Sequence, residues 1–277
     1  MKHRITPAII GITAIALAAF IVTLPGCAKD IDVDTETTTA TDNNICESEF
    51  MRIMPVVNSI AIDEQGSFRL GQPGGNPGIL SCATVSFDDT VNWPRTMTID
   101  FGTGCTDNVD GKVRTGRIRV TIDRSYDSIG VQMMIVLDSF YVGAIHYEGT
   151  MTVARLASDK FGQMIQNGKC SVGGGTPWEI LYASTRTITF TSGANSSGQT
   201  QIIKIDGTST GTDRNGKSWT SDITSPIIRD LSCTWIVKGT FVLRPSGLSD
   251  RTVDFGNGNC DDKGTITIDG NTFEFTM

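Results

Sequence analysis

Acids and a histidine are the side chains of this sequence that could perform acid–base chemistry. Adjacent aspartates occur twice, at Asp88-Asp89 and at Asp261-Asp262. Two carboxylates cleave a glycosidic bond when they lie about 5–9.5 Å apart across a cleft. Adjacent residues of a strand, however, point to opposite faces of the sheet. We expect His146 to be an ordinary strand histidine with hydrogen-bonding partners rather than a catalytic base. The sequence therefore predicts no catalytic residue.

Metal and cofactor sites are not predicted either. His146 is the single histidine after residue 26, and the chain contains no Cys-x-x-Cys. A tetrahedral zinc site needs four ligands of these types. We therefore expect neither a metal ion nor a cofactor.

The tripeptide Asp-Phe-Gly occurs twice, at residues 100–102 and 254–256. A protein kinase would also need a glycine-rich loop, a strand lysine and a His-Arg-Asp loop, and these motifs are missing from the sequence. We expect a structural role instead. The two aspartates would hydrogen-bond to nearby backbone, the two phenylalanines would fill the core, and the glycines would permit a bulge or a tight turn.

The cysteines indicate a repeated unit with a disulfide in each copy. Segments 81–123 and 232–277 share the order of a cysteine, a turn, an Arg-Thr strand ending in Asp-Phe-Gly, a second cysteine and a third strand. In each copy the midpoint between the two cysteines falls on turn residues, which would place the cysteines opposite each other in a hairpin. The predicted disulfides are Cys82–Cys105 and Cys233–Cys260. Cys46 and Cys170 remain, either paired or free.

Tryptophans are the candidate binding residues. Trp93 and Trp219 lie beside turn sequences, and Trp178 follows a run of three glycines. An exposed indole at such a position can stack on a sugar ring or a partner surface. Trp235 is expected in the core.

The N-terminus is typical of an exported chain. Lys2 and Arg4 precede the uncharged run 8–22, which as a helix would be roughly 22 Å long, too short for the ~30 Å bilayer core. This pattern favours a secretory signal over a permanent span. The Leu24-Pro25-Gly26-Cys27 sequence that follows resembles the lipobox of bacterial lipoproteins. The resemblance implies that Cys27 receives a diacylglycerol and becomes the first mature residue. Ala28 and the acidic stretch 29–34 are similar to signals for the outer membrane and the cell surface.

Composition excludes some partners. Of the 277 residues, 251 remain after residue 26, and they carry 21 basic and 30 acidic side chains, because Lys2 and Arg4 fall in the removed segment. The resulting charge of −9 argues against nucleic acid or anionic lipid head groups as partners.

Residues beyond about 80 alternate between apolar and polar types, as in 117–123, 187–191 and 265–269. Such alternation predicts antiparallel strands with one buried and one wet face. The predicted fold is all-β, an antiparallel meander closed into a sandwich or a strongly curled sheet. A short N-terminal helix over 46–62 is possible, with Pro55 inside it. The predicted organisation is a signal at 1–26, an anchor and flexible acidic tether at 27–45, and a single domain at 46–277.

These features resemble the β-rich lipoproteins of diderm bacteria that carry repeated Asp-Phe-Gly segments. The resemblance implies a protein anchored by lipid to the outer membrane, on its periplasmic or its cell-surface side. We expect a non-catalytic role in binding or structure, with a glycan or an envelope protein as partner. Two alternatives remain open: a glycan-acting hydrolase that uses acids on turns, and a lipid or lipoprotein carrier on a curved sheet.

Overall fold

The computed structural model describes residues 34–66, 82–89, 91–108, 110–192 and 201–277. The predicted signal and the predicted lipidation site, Cys27, lie outside the described residues. In chain order the elements are α1 (Thr38–Gly66), β1 (Thr84–Phe87), β2 (Arg95–Asp100), β3 (Cys105–Thr106), β4 (Val113–Ile122), β5 (Gln132–Val142), β6 (Ile145–Ala157), β7 (Lys160–Val172), β8 (Trp178–Ser192), β9 (Gln201–Thr212), β10 (Ser218–Asp230), β11 (Ile236–Pro245), β12 (Arg251–Asn257), β13 (Lys263–Ile268) and β14 (Asn271–Thr276).

The strands form one antiparallel sheet in which each strand pairs with the next one in the chain. The order runs from β1 through β2 and β4 to β14, and the two-residue β3 pairs with β4 beside this path. Among the described strands β1 and β14 are the two edges and are not joined to each other, so the sheet is not closed. The predicted antiparallel meander is therefore confirmed.

The alternation of the strands places apolar side chains on one face in rows that cross the sheet. One row joins Met97, Val120, Ile135, Met151 and Ile165 from five successive strands through the observed register. All five are at most 2% exposed and belong to the same hydrophobic cluster as the apolar side chains of α1. A slip of one residue in any strand would move its part of the row to solvent, so burial fixes the register.

The helix is longer than the sequence predicts. It spans 29 residues and continues through Pro55, although a proline inside a helix removes one backbone hydrogen bond. Consecutive residues from Phe50 to Asn58 are buried, with the exception of Arg52. A helix that is buried on all sides over this length is a core element rather than a surface helix.

The start of the helix corrects the predicted tether boundary at residue 45. In the structure α1 begins at Thr38, and Asp42 and Asn43 are both buried. The carboxylate of Asp42 accepts a hydrogen bond of 2.8 Å from Nε of Arg214. Because polar contacts rather than an apolar stripe hold this turn, the hydrophobic pattern does not reveal it.

The two Asp-Phe-Gly segments have the structural role that was predicted. Asp100 and Asp254 each accept a hydrogen bond from the N–H of the glycine two residues later, at 2.8 and 2.7 Å. These glycines have φ of +58° and +87°, a conformation that favours glycine. Phe101 and Phe255 are 2% and 3% exposed, so both fill the core.

Both predicted cysteine pairs lie at disulfide distance. The Cα atoms are 5.4 Å apart in Cys82–Cys105 and 5.8 Å apart in Cys233–Cys260. The hairpin argument for the first pair needs correction, because the register pairs Thr84 with Asp100. That register would place residue 102 opposite Cys82. Cys105 lies instead beyond the Asp-Phe-Gly turn, in β3, so this pair ties the residues just before β1 to β3 rather than closing a hairpin ladder.

The other two cysteines are free, buried thiols, Cys46 on α1 and Cys170 on β7. Burial raises the pKa of Cys46 well above its usual value, and the neighbouring Cys170 raises it further. The thiol of Cys46 is therefore neutral at physiological pH, and both buried side chains pack as small apolar groups.

Candidate functional site

Four arginines are buried on strands that face α1. Arg114 of β4, Arg186 of β8, Arg229 of β10 and Arg251 of β12 are 0%, 3%, 4% and 0% exposed. A buried guanidinium is costly unless acceptors satisfy its donors. In this protein α1 and the segment immediately before it supply at least one acceptor to each of the four.

Arg114 is the centre of the largest ion-pair cluster. Its Nε and Nη2 donate to the two oxygens of Glu49 at 2.9 and 2.8 Å. The carboxylates of Asp107 and Asp110 lie at 3.3 and 2.9 Å from its terminal nitrogens, and Arg52 lies 3.4 Å from both aspartates. Burial opposes the charge on Arg114, but Glu49 and Asp110 raise its pKa overall. Arg114 is therefore charged at neutral pH.

Two further arginines hold the beginning of the helix and the segment before it. Arg186 pairs with Glu47, whose carboxylate also accepts a hydrogen bond of 3.0 Å from Ser209. Arg251 donates to Asp34 at 2.9 Å. Burial alone would raise the pKa of Asp34, but the hydrogen bond from Arg251 lowers it below its ordinary value. These contacts fix the chain from residue 34 onward.

Arg229 differs from the other three because its partners are neutral. Its Nη1 donates to the carbonyl of Ser48 at 3.0 Å, and its Nη2 donates to the carbonyl of Thr234 at 3.3 Å. Within the described residues no carboxylate oxygen lies within 4.0 Å of its guanidinium. Burial, together with the charge of Arg52, lowers the pKa of Arg229 to about 9. Arg229 is thus a buried cation that makes no direct ion pair within the described residues, although the charges of Glu49 and Asp110 act on it from farther away.

Arg229 lies in the wall of a cavity of about 170 Å³, which we call the recess. The wall is formed by α1, the residue before β4, the segment leading into β11 and the end of β14. Three cationic side chains line it, namely Arg52, Lys112 and Arg229, and one carboxylate, that of Glu49. Both oxygens of that carboxylate already accept hydrogen bonds from Arg114. The recess can therefore accept a negatively charged group.

The tryptophans occupy three different environments. Trp93 is 40% exposed and Trp178 is half-buried, and each ring has a guanidinium carbon above it, at 4.1 and 4.5 Å. Trp219 is 2% exposed, so the expectation of an exposed indole there is wrong. The alternation of β10 places Trp219 on the same inward face as Ser221, where it packs beside Tyr182. Trp235, expected in the core, is half-buried and lines the recess.

The acids singled out in the sequence have local backbone partners. Asp88, Asp89 and Asp261 each accept a backbone N–H, at 2.7, 2.7 and 3.1 Å. Hydrogen bonds from the backbone of Val91 and of the next residue lower the pKa of Asp89 to about 2. These carboxylates therefore stabilise turns.

His146 stacks on Tyr141, with ring centroids 4.3 Å apart. In the part of the chain that the structure describes, no group of three or more His, Cys, Asp or Glu side chains could hold a metal ion. No helix among the same residues is both long and apolar enough to cross a membrane.

Sequence reasoning missed the buried arginines and hence the recess. The missed signal is the position of each arginine in the alternation of its strand, where it takes the place of an inward-facing apolar residue. Arg251 alternates with Val253 and Phe255, and Arg186 alternates with Ile188. A charged residue in the inward phase of an alternating strand requires a buried partner. For Arg186 that partner is Glu47 of α1, and for Arg251 it is Asp34, just before the helix.

Comparison with protein-family models, with curated proteins and with solved structures finds no significant match to this chain. The class of protein is therefore defined by its own structure: an antiparallel β-sheet protein whose N-terminal helix lies in the core and borders a small cationic recess.

Proposed function

We propose that this chain is a lipid-anchored protein of the bacterial outer membrane with a non-catalytic binding role. The anchor is supported by the basic start, the uncharged run at 8–22 and the Leu24-Pro25-Gly26-Cys27 sequence. Two or more acyl chains on one cysteine hold a protein stably at a bilayer. Residues 28–33 then link the anchor to Asp34, the first described residue.

The observation that carries the binding role is the recess. A concave site with a few convergent polar groups is the usual form of a ligand site. Its size suits a small ligand or the end of a larger chain, such as a sugar unit or a peptide terminus. Trp93 supplies a second, exposed contact for a glycan or protein partner.

We further propose that the sheet is strongly curled around α1. The support is the set of contacts made by three consecutive helix residues, 47–49, which reach arginines of β8, β10 and β4. Six strand spacings separate β4 from β10 in the sheet order. In a flat sheet these strands would be about 29 Å apart, at roughly 4.8 Å per spacing. Three consecutive helix residues cannot bridge that distance, so bending of the sheet accounts for the contacts.

The filled core favours binding over the two alternatives. A lipid carrier on a curved sheet would need an open apolar face, whereas Phe50, Met54 and Val57 of α1 are fully buried in the hydrophobic cluster. A hydrolase needs two available carboxylates. Glu49, the acidic side chain of the recess wall, is already paired with Arg114.

The binding role is tested with a variant that blocks the recess. Thr41 is an exposed helix residue in the wall, so Thr41→Trp adds bulk there without disturbing the core. We expect ligand-observed NMR with small saccharides and short peptides of envelope polymers to find a ligand for the full chain. Its binding should weaken at least tenfold in Thr41→Trp.

Thr84→Trp is the matched control, because it places the same indole at an exposed position of β1 outside the recess wall. This control should bind like the wild type. The proposal is contradicted if the wild type binds nothing in the panel, or if Thr41→Trp binds equally well.

A further inference from the structure

Arg229 is the feature of the recess that the fold itself does not explain. The neighbouring Arg114 and Arg52 have carboxylates within 3.4 Å. Arg229 has two backbone carbonyls, which satisfy hydrogen bonds but carry no net charge.

We propose that the recess binds a small organic carboxylate, whose anionic group pairs with Arg229 and whose apolar part lies against Trp235 and Ile236. This inference rests on the proposed binding role and names the class of ligand for the same site. An anion at this place would supply the counter-charge that Arg229 lacks.

The charges around Arg229 support an anion rather than a cation or a neutral group. Arg52 and Lys112 line the same recess, while the one carboxylate side chain in its wall accepts both of its hydrogen bonds from Arg114. Burial and the charge of Arg52 hold the pKa of Arg229 at about 9. At neutral pH the guanidinium is still protonated, so it remains a donor for a carboxylate.

The shape of the recess supports a carboxylate with an apolar body rather than a bare inorganic ion. Trp235, Ile236 and Phe275 contribute the apolar part of its wall. Cavities of about 150 Å³ accept a benzene ring, so a volume of about 170 Å³ is suited to a ligand the size of benzoate. The planar guanidinium matches the two oxygens of a carboxylate.

The test is calorimetric titration of the full chain with sodium benzoate at constant ionic strength. Benzamide serves as the neutral analogue of the same shape, and inorganic phosphate as an anion without an apolar part. We expect a dissociation constant below 1 mM for benzoate and at least tenfold weaker binding of benzamide and of phosphate.

Arg229→Gln is the decisive variant, since glutamine can still donate to one of the two carbonyls while the charge is lost. Benzoate binding should weaken at least tenfold. Arg244→Gln is the matched control: Arg244 is an exposed arginine of β11 that pairs with Asp222, and its loss should leave binding unchanged. Circular dichroism establishes that each variant is folded.

A second measurement does not depend on the folding of Arg229→Gln. Benzoate should change the tryptophan fluorescence of the wild type, and Trp235→Phe should abolish that change. The inference is overturned if benzamide or phosphate binds as well as benzoate, if Arg229→Gln binds benzoate unchanged, or if the fluorescence change survives in Trp235→Phe. If a neutral ligand binds the wild type and Arg229→Gln but not Thr41→Trp, the anion inference is overturned and the binding role remains.

Discussion

Replacement of Arg114 by leucine is expected to lower the free energy of unfolding by about 3–5 kcal/mol, because it leaves buried carboxylates without their cation. Glu49, Asp107 and Asp110 all lie within 3.3 Å of Arg114, and their side chains are at most 4% exposed. Arg52 lies 3.4 Å from Asp107 and from Asp110. It cannot replace Arg114 as the bidentate partner of Glu49. Urea denaturation monitored by circular dichroism measures the change.

The control for this variant is Arg119→Leu on the same strand. Arg119 is half-exposed and pairs with Asp138 at 2.9 Å on the outer surface. Exposed pairs contribute little, so the expected change is below about 1 kcal/mol. If Arg114→Leu costs no more than Arg119→Leu, the cluster does not hold the helix to the sheet as described.

The same cluster predicts the direction of the pH dependence. Burial alone would raise the pKa of Asp110, but the hydrogen bond from Arg114 and the charge of Arg52 bring it below its ordinary value of 3.8. A carboxyl group whose pKa is lower in the folded state than in the unfolded state stabilises the fold at pH values above its unfolded-state pKa. This stabilisation is lost as the pH falls through the folded-state pKa. The difference in the free energy of unfolding between the wild type and Arg114→Leu should therefore become smaller below about pH 3.8.

Replacement of Cys27 by serine is expected to remove the protein from the membrane completely. Serine lacks the thiol that would carry the diacylglycerol, and a chain with no acyl group has no comparable affinity for a bilayer. Cells grown with labelled palmitate should give a labelled wild-type band in the membrane fraction. The Cys27→Ser protein should be unlabelled and recovered in the soluble fraction.

Cys46→Ala is the matched control for lipidation, because it removes a buried thiol of the folded domain. It should keep both the label and the membrane fractionation. A labelled Cys27→Ser protein, or a wild-type protein free of label, would show that the anchor is not at this cysteine.

The sequence predicts the strands well because one physical property determines them. Alternation of apolar and polar residues is sufficient to place a strand with one buried face, as in β4 and β13. The Asp-Phe-Gly turns and the cysteine pairs follow from local chemistry, and the structure agrees with both.

The recess could not be predicted in the same way because it depends on long-range polar pairing. In the sequence alone, Asp42, Glu47 and Glu49 cannot be distinguished from solvent-exposed acids, because the sequence does not show which strands will face them. Their partners lie 172, 139 and 65 residues away in sequence. The expectation of an exposed Trp219 is wrong for a related reason. The adjacent turn sequence indicates exposure, but the alternation along β10 places this side chain on the buried face.

The measurement that tests the whole account most directly is amide hydrogen exchange of the full chain, followed by mass spectrometry. If the sheet curls around α1, peptides from residues 42–58 are in the core and should be among the slowest to exchange, opening only with global unfolding. Peptides from the edge strands β1 and β14 should exchange much faster. Exchange of residues 42–58 as fast as that of the edge strands would contradict an enclosed helix, and with it the recess that the helix borders.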